Sequence, residues 1–283
     1  MQTKIFPLIR PDELLTSYKK NNIILIDAGS GNDAKDKYLQ SHLDGALYVD
    51  LNTQLADIKA DAASGGRHPL PTVAQFAAIL GQLGISPDSH VVVYDDKNAS
   101  NAAARFWWML QSIGHKKVQV LDGGFQAAVK AGFPVNAATV VPEPTTVYNN
   151  AGWILPMASM QEVEKAAKDD QYLVIDVRSE ERYKGITEPI DIIAGHIPGA
   201  VNIPFTTNLD AEGFFLPADK LREKYENAFG NTEQENIIVH CGSGVTACHT
   251  LLAIAAAGFQ IPGLYVGSWS EWSNNKMPVA KDS

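Results

Sequence analysis

The sequence "IIVHCGSGVTACHTLLAIAAAGF" at 237–259 places Cys241 between a β-branched run and a glycine-rich turn. Residues 237–239 are typical of a buried strand, and the small and apolar residues after Thr246 favour a helix packed on a sheet. Gly242 and Gly244 allow a sharp turn whose backbone N–H groups point inward, where the positive end of the helix dipole also lies. The segment therefore predicts a cradle for an anion.

Cys241 is the first residue of this predicted loop, so the natural anion is its own thiolate, which is a nucleophile. The alternative is that Cys241 is a small buried apolar residue, the common situation of a lone cysteine. Its place in a glycine-rich loop at the end of a strand favours the catalytic interpretation. Cys248 lies on the helix among small and apolar residues, where nothing would activate a thiol, so we expect it to pack in the core.

The chain contains two copies of one module, because four pairs of segments match in the same order. The pairs are "IILIDAGS" (23–30) with "LVIDVRS" (173–179), "HLDGALYVDL" (42–51) with "HIPGAVNIPF" (196–205), "VVVYDD" (91–96) with "IIVHCG" (237–242), and "VLDGGFQAAVKAGFPV" (120–135) with "LYVGSWSEWSNNKMPV" (264–279). Asp95 stands in the first copy where the second has Cys241, so only the second copy can use a thiolate. We expect the first copy to form a wall of the active site.

Short β-branched strands alternate with helical stretches in each copy, for example at 72–84 and 159–170. Such alternation predicts an α/β fold with a parallel sheet and helices on both faces, in which ligands bind beyond the carboxyl ends of the strands. The stretch at 136–153 is rich in Pro, Thr, Asn and Ala and has no helical period. We therefore assign a non-catalytic domain to 1–138, a linker to 139–152 and a catalytic domain to 153–283.

Composition limits the class of protein. With 283 residues, 45% of them apolar, and a net charge of −9, the chain is expected to be globular, and its acidic balance argues against nucleic acid or an anionic membrane as a partner. The first residues lack the apolar region of a secretory signal and no stretch is long enough for a membrane span, so the expected location is the cytoplasm. We expect no metal ion and no other cofactor, because the sequence carries no metal-binding or nucleotide-binding motif.

The duplicated module, "GHIPGA" at 195–200, the loop "CGSGVTA" at 241–247 and "GSWSEW" at 267–272 together resemble the two-domain rhodanese superfamily. The loop is most similar to that of mercaptopyruvate sulfurtransferases. The resemblance implies that Cys241 takes a sulfane sulfur from a small anionic donor, holds it as a persulfide and passes it to cyanide, a thiol or a thioredoxin-like protein. It also implies that the loop binds the substrate through Gly242, Gly244, Val245, Thr246 and Ala247.

Two arginines are implied donor-binding residues. "DVRSEERYKG" at 176–185 resembles the family's donor-binding stretch, whose second arginine is Arg182 here. A guanidinium suits a carboxylate or thiosulfonate group because it bonds both oxygens at once. From the residues alone, the preferred interpretation of Arg182 is a solvated arginine beside Glu180 and Glu181. Arg105 in "AAARFWW" matches a family arginine of the first domain, for which donor binding and a structural salt bridge are both open.

His68 in "GGRHPLP" matches the family's histidine of the first domain. The resemblance implies a proton relay between His68 and Ser243, since an imidazole can supply or remove a proton as the donor's sulfur leaves. Asn52 stands where the family's relay has an aspartate, so the relay is expected to be incomplete.

The preferred sulfur donor is predicted from positions at which this sequence differs from the family. Asp191 or Ile192, in "EPIDII", stands where mercaptopyruvate enzymes carry a second arginine, and the loop has neither the Arg nor the Lys of thiosulfate enzymes. We expect activity with both donors, with mercaptopyruvate preferred but weakly bound, because no loop cation offsets the repulsion between a thiosulfate dianion and a thiolate. If thiosulfate is preferred instead, a basic group from the first domain, with Arg105 the first candidate, must supply the charge.

Two other classes of protein also use a cysteine in a glycine-rich loop. A phosphatase would need an arginine at the end of a C-x5-R loop, and the corresponding position is Ala247, so a phosphate dianion would not be clamped. A sulfur carrier that delivers a persulfide to one protein partner stays open, because it would use the same cysteine loop.

Overall fold

The computed structural model describes residues 5–19, 22–145, 148 and 152–282. The chain forms two compact units: the first consists of Met1–Asp57, Pro71–Leu155 and Ala211–Phe215, and the second of Ile58–Leu70, Pro156–Asp210 and Leu216–Ser283. The segment 58–70, from the first sequence copy, thus belongs to the unit that carries Cys241. The predicted linker 139–152 lies in part outside the described residues, and the predicted domain limits stay a prediction.

The first unit is built on a parallel sheet with the strand order β1-β6-β5-β2-β4 and a small antiparallel pair, β3 with β7. Its strands are β1 (Leu8–Ile9), β2 (Ile23–Gly29), β3 (His42–Leu43), β4 (Leu47–Asp50), β5 (His90–Tyr94), β6 (Val118–Leu121) and β7 (Val135–Asn136). Its helices are α1 (Pro11–Ser17), α2 (Ala34–Gln40), α3 (Leu51–Gln54), α4 (Val73–Gln82), α5 (Ala102–Ser112) and α6 (Gly124–Lys130).

The second unit is built on a parallel sheet with the order β10-β9-β11-β12-β8. Its strands are β8 (Met157–Ala158), β9 (Leu173–Asp176), β10 (Val201–Asn202), β11 (Ile237–His240) and β12 (Gly263–Tyr265). Its α-helices are α7 (Met160–Ala166), α8 (Glu180–Tyr183), α9 (Ala218–Phe229), α10 (Ala247–Ala256) and α11 (Ser268–Asn274), with 3-10 turns at Phe205–Asn208 and Gln234–Asn236.

The two sheets have the same strand order when the sequence copies are matched, with β4, β2, β5, β6 and β1 corresponding to β10, β9, β11, β12 and β8. The central strands are short β-branched runs whose side chains are almost completely buried, as expected for a parallel sheet covered on both faces. The predicted fold class, two tandem α/β domains each with a parallel sheet flanked by helices, is confirmed.

A stacked tyrosine and histidine pair anchors the same corner of both units. The rings of Tyr38 and His42 lie 4.1 Å apart, and those of Tyr183 and His196 lie 3.8 Å apart. In each pair the histidine Nδ1 lies within hydrogen-bond distance of the tyrosine carbonyl, at 2.7 and 2.9 Å. His196 thus fixes a loop. None of the helices in the described ranges is long and apolar enough to cross a membrane.

Candidate active site

Cys241 directly follows β11, at the carboxyl end of the central strand of the second sheet, and is 2% exposed. Its N–H donates to Ser268 Oγ (3.2 Å), and its carbonyl accepts from the N–H of Trp269 (3.0 Å), so the start of α11 holds the start of the loop. Gly244 has φ +72°, and a Cβ there would collide with the carbonyl of Val266. Only glycine fits this position, because the backbone is left-handed and closely packed.

The remaining loop residues lead into α10, which begins at Ala247. Gly242, Ser243 and Val245 are buried and Thr246 is partly exposed. Cys248 is fully buried on α10, and its thiol lies 3.4 Å from the carbonyl of Gly244 as a weak donor. Its position agrees with a packing role in the helix.

His68 reaches the loop on the segment 58–70. Gly65 and Gly66 turn this segment with φ of +85° and +80°. The N–H of Gly65 donates to the carboxylate of Glu271 (3.0 Å), which ties the turn to α11. His68 Nδ1 then lies 2.8 Å from Ser243 Oγ. The structure brings together the histidine and serine for which the sequence predicts a relay, and their catalytic role stays a prediction.

Two guanidinium groups border the loop. Arg182, at the end of α8, donates to Glu188 (2.7 Å) and to Asp191 (3.2 Å), and Arg67 donates to the other oxygen of Asp191. A Cβ placed on Gly242 would lie 3.2 Å from Arg67 Nη2 and 3.5 Å from Arg182 Nη1. Asp191 therefore lies between two cations that flank the residue after Cys241.

Arg67 and Glu188 were not among the site residues predicted from the sequence. The loop 241–247 itself contains no Arg or Lys, but Arg67, from the segment 58–70, lies beside Gly242. Two signals were present: Arg67 directly precedes His68 after a double glycine, and Glu188 begins the "EPIDII" stretch that departs from the family.

The carboxylates that hold these arginines differ in their electrostatics. Burial opposes ionisation of Glu188, but bonds from Arg182 and the N–H of Asp191 outweigh it and hold the pKa of Glu188 below its ordinary value. Burial raises the pKa of Asp191 above its ordinary value, and the guanidinium of Arg67 opposes this rise only in part.

Behind the loop, Arg178 and Asp176 form a buried ion pair at the end of β9. Arg178 donates through Nη2 (2.6 Å) and Nε (3.0 Å) to Asp176, and through Nη1 to Glu188 (3.1 Å). Its guanidinium carbon lies 4.6 Å from the ring centre of Trp269. Burial disfavours the Asp176 carboxylate, but His240 and Arg178 hold its pKa below the ordinary value. This pair fixes Glu188, and through it Arg182.

The other predicted residues lie in the first unit. Arg105 is fully buried on α5, and Asn52 lies on α3. Asp95, at the position of the cysteine, accepts from the backbone N–H groups of Lys97 (2.9 Å), Ala99 (2.9 Å) and Ala103 (3.3 Å). The loop of the first unit thus directs its N–H groups at a carboxyl side chain of its own. A donor-binding role for Arg105 stays a prediction.

In the second unit, a cysteine ends the central strand of a parallel sheet beside a histidine–serine pair and two guanidinium groups. These features are typical of an enzyme that uses a cysteine nucleophile on an anionic substrate. The rhodanese-like domain family matches residues 10–131 and 159–275.

The chain is similar to known sulfurtransferases along most of its length. It is 38% identical over 249 residues to a Pseudomonas aeruginosa protein named "Probable 3-mercaptopyruvate sulfurtransferase", covering 86% of this chain and 85% of that protein. It is 36% identical over 251 residues to the thiosulfate sulfurtransferase of Bos taurus, covering 87% and 82%. The solved 3-mercaptopyruvate sulfotransferase SseA of Escherichia coli superposes with a TM-score of 0.78 at 30% identity, covering 94% of this chain and all of that one.

The chain belongs to the rhodanese-like family, with one family domain in each half. The resemblance stated from the sequence is confirmed, and so is the class of enzyme, a sulfurtransferase.

Proposed function

We propose that the protein transfers a sulfane sulfur from mercaptopyruvate, through a persulfide on Cys241, to a thiophilic acceptor such as cyanide or a thiol. The observation that carries this proposal is the juxtaposition at one loop of Cys241, the His68–Ser243 pair and the guanidinium groups of Arg67 and Arg182. A guanidinium pair beside the nucleophile suits an anionic donor. Relatives named for mercaptopyruvate and for thiosulfate support this class of donor.

The balance of charge favours mercaptopyruvate over thiosulfate. Three guanidinium groups near the loop are matched by three carboxylates; these are Arg67, Arg178 and Arg182 with Asp176, Glu188 and Asp191. A thiosulfate dianion placed beside a thiolate meets more repulsion in this balanced setting than the single carboxylate of mercaptopyruvate does. Asp191 weakens the donor clamp because it already occupies one side of both Arg67 and Arg182.

In the first half-reaction, the Cys241 thiolate attacks the sulfur of mercaptopyruvate. A sulfur–sulfur bond forms, the carbon–sulfur bond breaks, and its electron pair passes to carbon as the enolate of pyruvate. The proton of the donor's thiol moves to that carbon, so the products are pyruvate and the Cys241 persulfide anion. His68 and Ser243, 2.8 Å apart, are placed to carry this proton. Arg182 and Arg67 hold the donor's carboxylate.

In the second half-reaction, the acceptor attacks the outer sulfur of the persulfide. With cyanide the products are thiocyanate and the Cys241 thiolate, so the enzyme returns to its starting state. A small thiol or a thioredoxin-like protein accepts the sulfur in the same way, with the cytoplasm as the proposed location. Thiosulfate is the second candidate donor, favoured by the position of Arg67 beside Gly242. A persulfide carrier for one protein partner would share the first half-reaction.

The test combines intact-protein mass measurement with turnover. Incubation with mercaptopyruvate and no acceptor should add the mass of one sulfur atom at Cys241. Cys241→Ser should abolish both the added sulfur and thiocyanate formation, because serine forms no persulfide. Cys248→Ala is the matched control and should keep both. Sulfur on Cys248 alone, or turnover by Cys241→Ser, would overturn the proposal.

Parallel assays with the two donors decide the remaining alternatives. We expect a higher kcat/KM with mercaptopyruvate than with thiosulfate, each measured with cyanide. A clear preference for thiosulfate would reject the charge argument and make Arg67 the donor-binding cation. Stoichiometric loading of Cys241 with negligible turnover on cyanide and small thiols would indicate a carrier protein instead.

A further inference from the structure

A cavity of about 380 Å³ lies in the first unit beyond the carboxyl end of β2. Its volume lies within the range of small-molecule binding sites. Its wall combines the carboxyl group of Asp27, two aromatic rings and several polar groups; the lining includes Asp27, Gly29, Lys37, Tyr38, Ser41 and Phe125. These residues all belong to the unit that lacks the cysteine.

The duplication shows what occupies this place in the second unit. Asp27 of β2 corresponds to Asp176, the last residue of β9, and each pairs with the last residue of the neighbouring central strand. Two residues further on, the second unit has Arg178 and the first has Gly29. In the second unit a guanidinium therefore bonds the carboxylate, whereas in the first unit residue 29 supplies no side chain.

Two further parts of the guanidinium's surroundings have counterparts in the first unit. Phe125 corresponds to Trp269, over whose ring the guanidinium of Arg178 lies at 4.6 Å. Ser41 corresponds to Gly195, whose carbonyl accepts from Arg178 (2.7 Å). Both Phe125 and Ser41 line the cavity. The first unit thus keeps the carboxylate, the aromatic face and the corresponding backbone position around an open volume.

Burial and the neighbouring side chains together set the pKa of Asp27. Burial raises the pKa of Asp27 to about 7, a hydrogen bond from Tyr94 opposes the rise, and Asp95 and Asp96 add to it. The cation at the cavity wall, Lys37, is already bonded to Asp33 (3.0 Å) and Asp96 (3.4 Å). An added cation would therefore meet a carboxylate that burial now destabilises.

We propose that this cavity binds a guanidinium group, which would lie against Phe125 and bond Asp27 as Arg178 bonds Asp176. The assignment goes beyond sulfur transfer and does not depend on it. A guanidinium fits better than an ammonium because it is planar, bonds both carboxylate oxygens and stacks on an aromatic face. The source is either a small guanidinium compound or an arginine side chain of another protein.

The probes are methylguanidine and, as the matched ammonium, n-butylammonium, titrated into the full chain at pH 8 and followed by NMR. We expect methylguanidine to shift the ring signals of Phe125 and to bind at least about tenfold more tightly than n-butylammonium. Asp27→Asn should weaken methylguanidine binding about tenfold to hundredfold, the usual loss for a charge-assisted bond. Asp36→Asn, an exposed change on the same helix as Lys37, is the control and should bind as the wild type does.

A second variant places an arginine side chain of the protein itself in the cavity. A Cβ on Gly29 would lie 2.5 Å from Tyr48 Oη, and Tyr48 corresponds to Asn202 of the second unit. The double variant Gly29→Arg with Tyr48→Asn therefore rebuilds the second unit's arrangement and should abolish methylguanidine binding. Equal binding of both probes, or methylguanidine binding unchanged by Asp27→Asn, would overturn the proposal.

A short peptide with one arginine, compared with its lysine counterpart, distinguishes the sources of the group. Binding of the arginine peptide more than tenfold tighter than methylguanidine supports a protein side chain as the ligand. Binding no tighter than methylguanidine supports a small molecule. Preference for the lysine peptide contradicts guanidinium recognition.

Discussion

The two units place a carboxyl group at corresponding positions of their sheets, but its pKa is shifted in opposite directions. Asp176 is completely buried but faces Arg178, and its pKa lies below the ordinary value. Asp27 has Gly29 two residues further on, and burial raises its pKa to about 7. The backbone arrangement is therefore insufficient to decide ionisation. The neighbouring side chains decide it, because His240 and the guanidinium of Arg178 together offset the cost of removing the charge of Asp176 from water.

The strand-end loops show a second difference of the same kind. In the first unit, backbone N–H groups bond the carboxyl group of Asp95, so the loop is occupied by a side chain of its own. In the second unit, Cys241 takes that position and Arg67 approaches the next residue. One copy thus keeps the cradle as a structural feature, whereas the other has the groups that a reaction with an anionic donor requires.

The largest effect is expected from removing the guanidinium in the second unit. Arg178→Met should lower the free energy of unfolding of that unit by about 3–5 kcal/mol, because Asp176 would be left as an uncompensated buried charge. Urea denaturation at pH 7 measures the change. A loss below about 1 kcal/mol would show that Arg178 is not needed to compensate the buried charge of Asp176.

The matched control for that experiment is Arg222→Met. Arg222 makes an exposed pair with Glu226 at 2.9 Å, with about half of each side chain exposed to solvent. The same substitution should change the free energy of unfolding by no more than about 0.5 kcal/mol, since exposed helical ion pairs contribute little.

A smaller effect of opposite sign is expected in the first unit. The folded state holds the Asp27 proton more tightly than the unfolded chain does, so its stabilising contribution is complete below the ordinary pKa of 3.8 and is lost as the pH rises through about 7. Asp27→Asn should therefore raise the free energy of unfolding at pH 8 by about 1–3 kcal/mol and change it little at pH 4. Urea denaturation across this pH range is the measurement. An unchanged pH dependence in Asp27→Asn would show that another group titrates.

The smallest effect is expected from removing the charge of Asp191 in the second unit. Asp191→Asn removes the negative charge shared by Arg67 and Arg182, so kcat/KM for an anionic donor should rise about threefold to tenfold. The rise should be larger for thiosulfate than for mercaptopyruvate, because thiosulfate carries the greater charge. Steady-state assays with both donors measure it, with the exposed Asp170→Asn as control. A fall with both donors would show that Asp191 is needed to position the arginines.

Much of the fold and part of the candidate site could be predicted from the sequence. The strand-loop-helix around Cys241 was recognisable because β-branched and small residues have local preferences that the glycines interrupt. The duplication gave the shared strand order through repeated motifs. Arg67 and Glu188 were missed because charged residues in loops carry no periodic signal, and the partner of Arg67, Asp191, lies far away in the sequence.

The sequence by itself determined the two-copy α/β architecture, the position of Cys241 at a strand end and the absence of a cysteine from the first copy. Local propensity, hydrophobic patterning and repetition are sufficient for these, because each depends on neighbours along the chain. Only the tertiary structure decided that segment 58–70 joins the second unit, that Arg67 borders Gly242 and that Asp27 adjoins an open cavity. These features depend on burial and on charges that folding brings together. Burial and nearby charges affect the free energy of ionising a carboxyl or guanidinium group far more strongly than its sequence neighbours do.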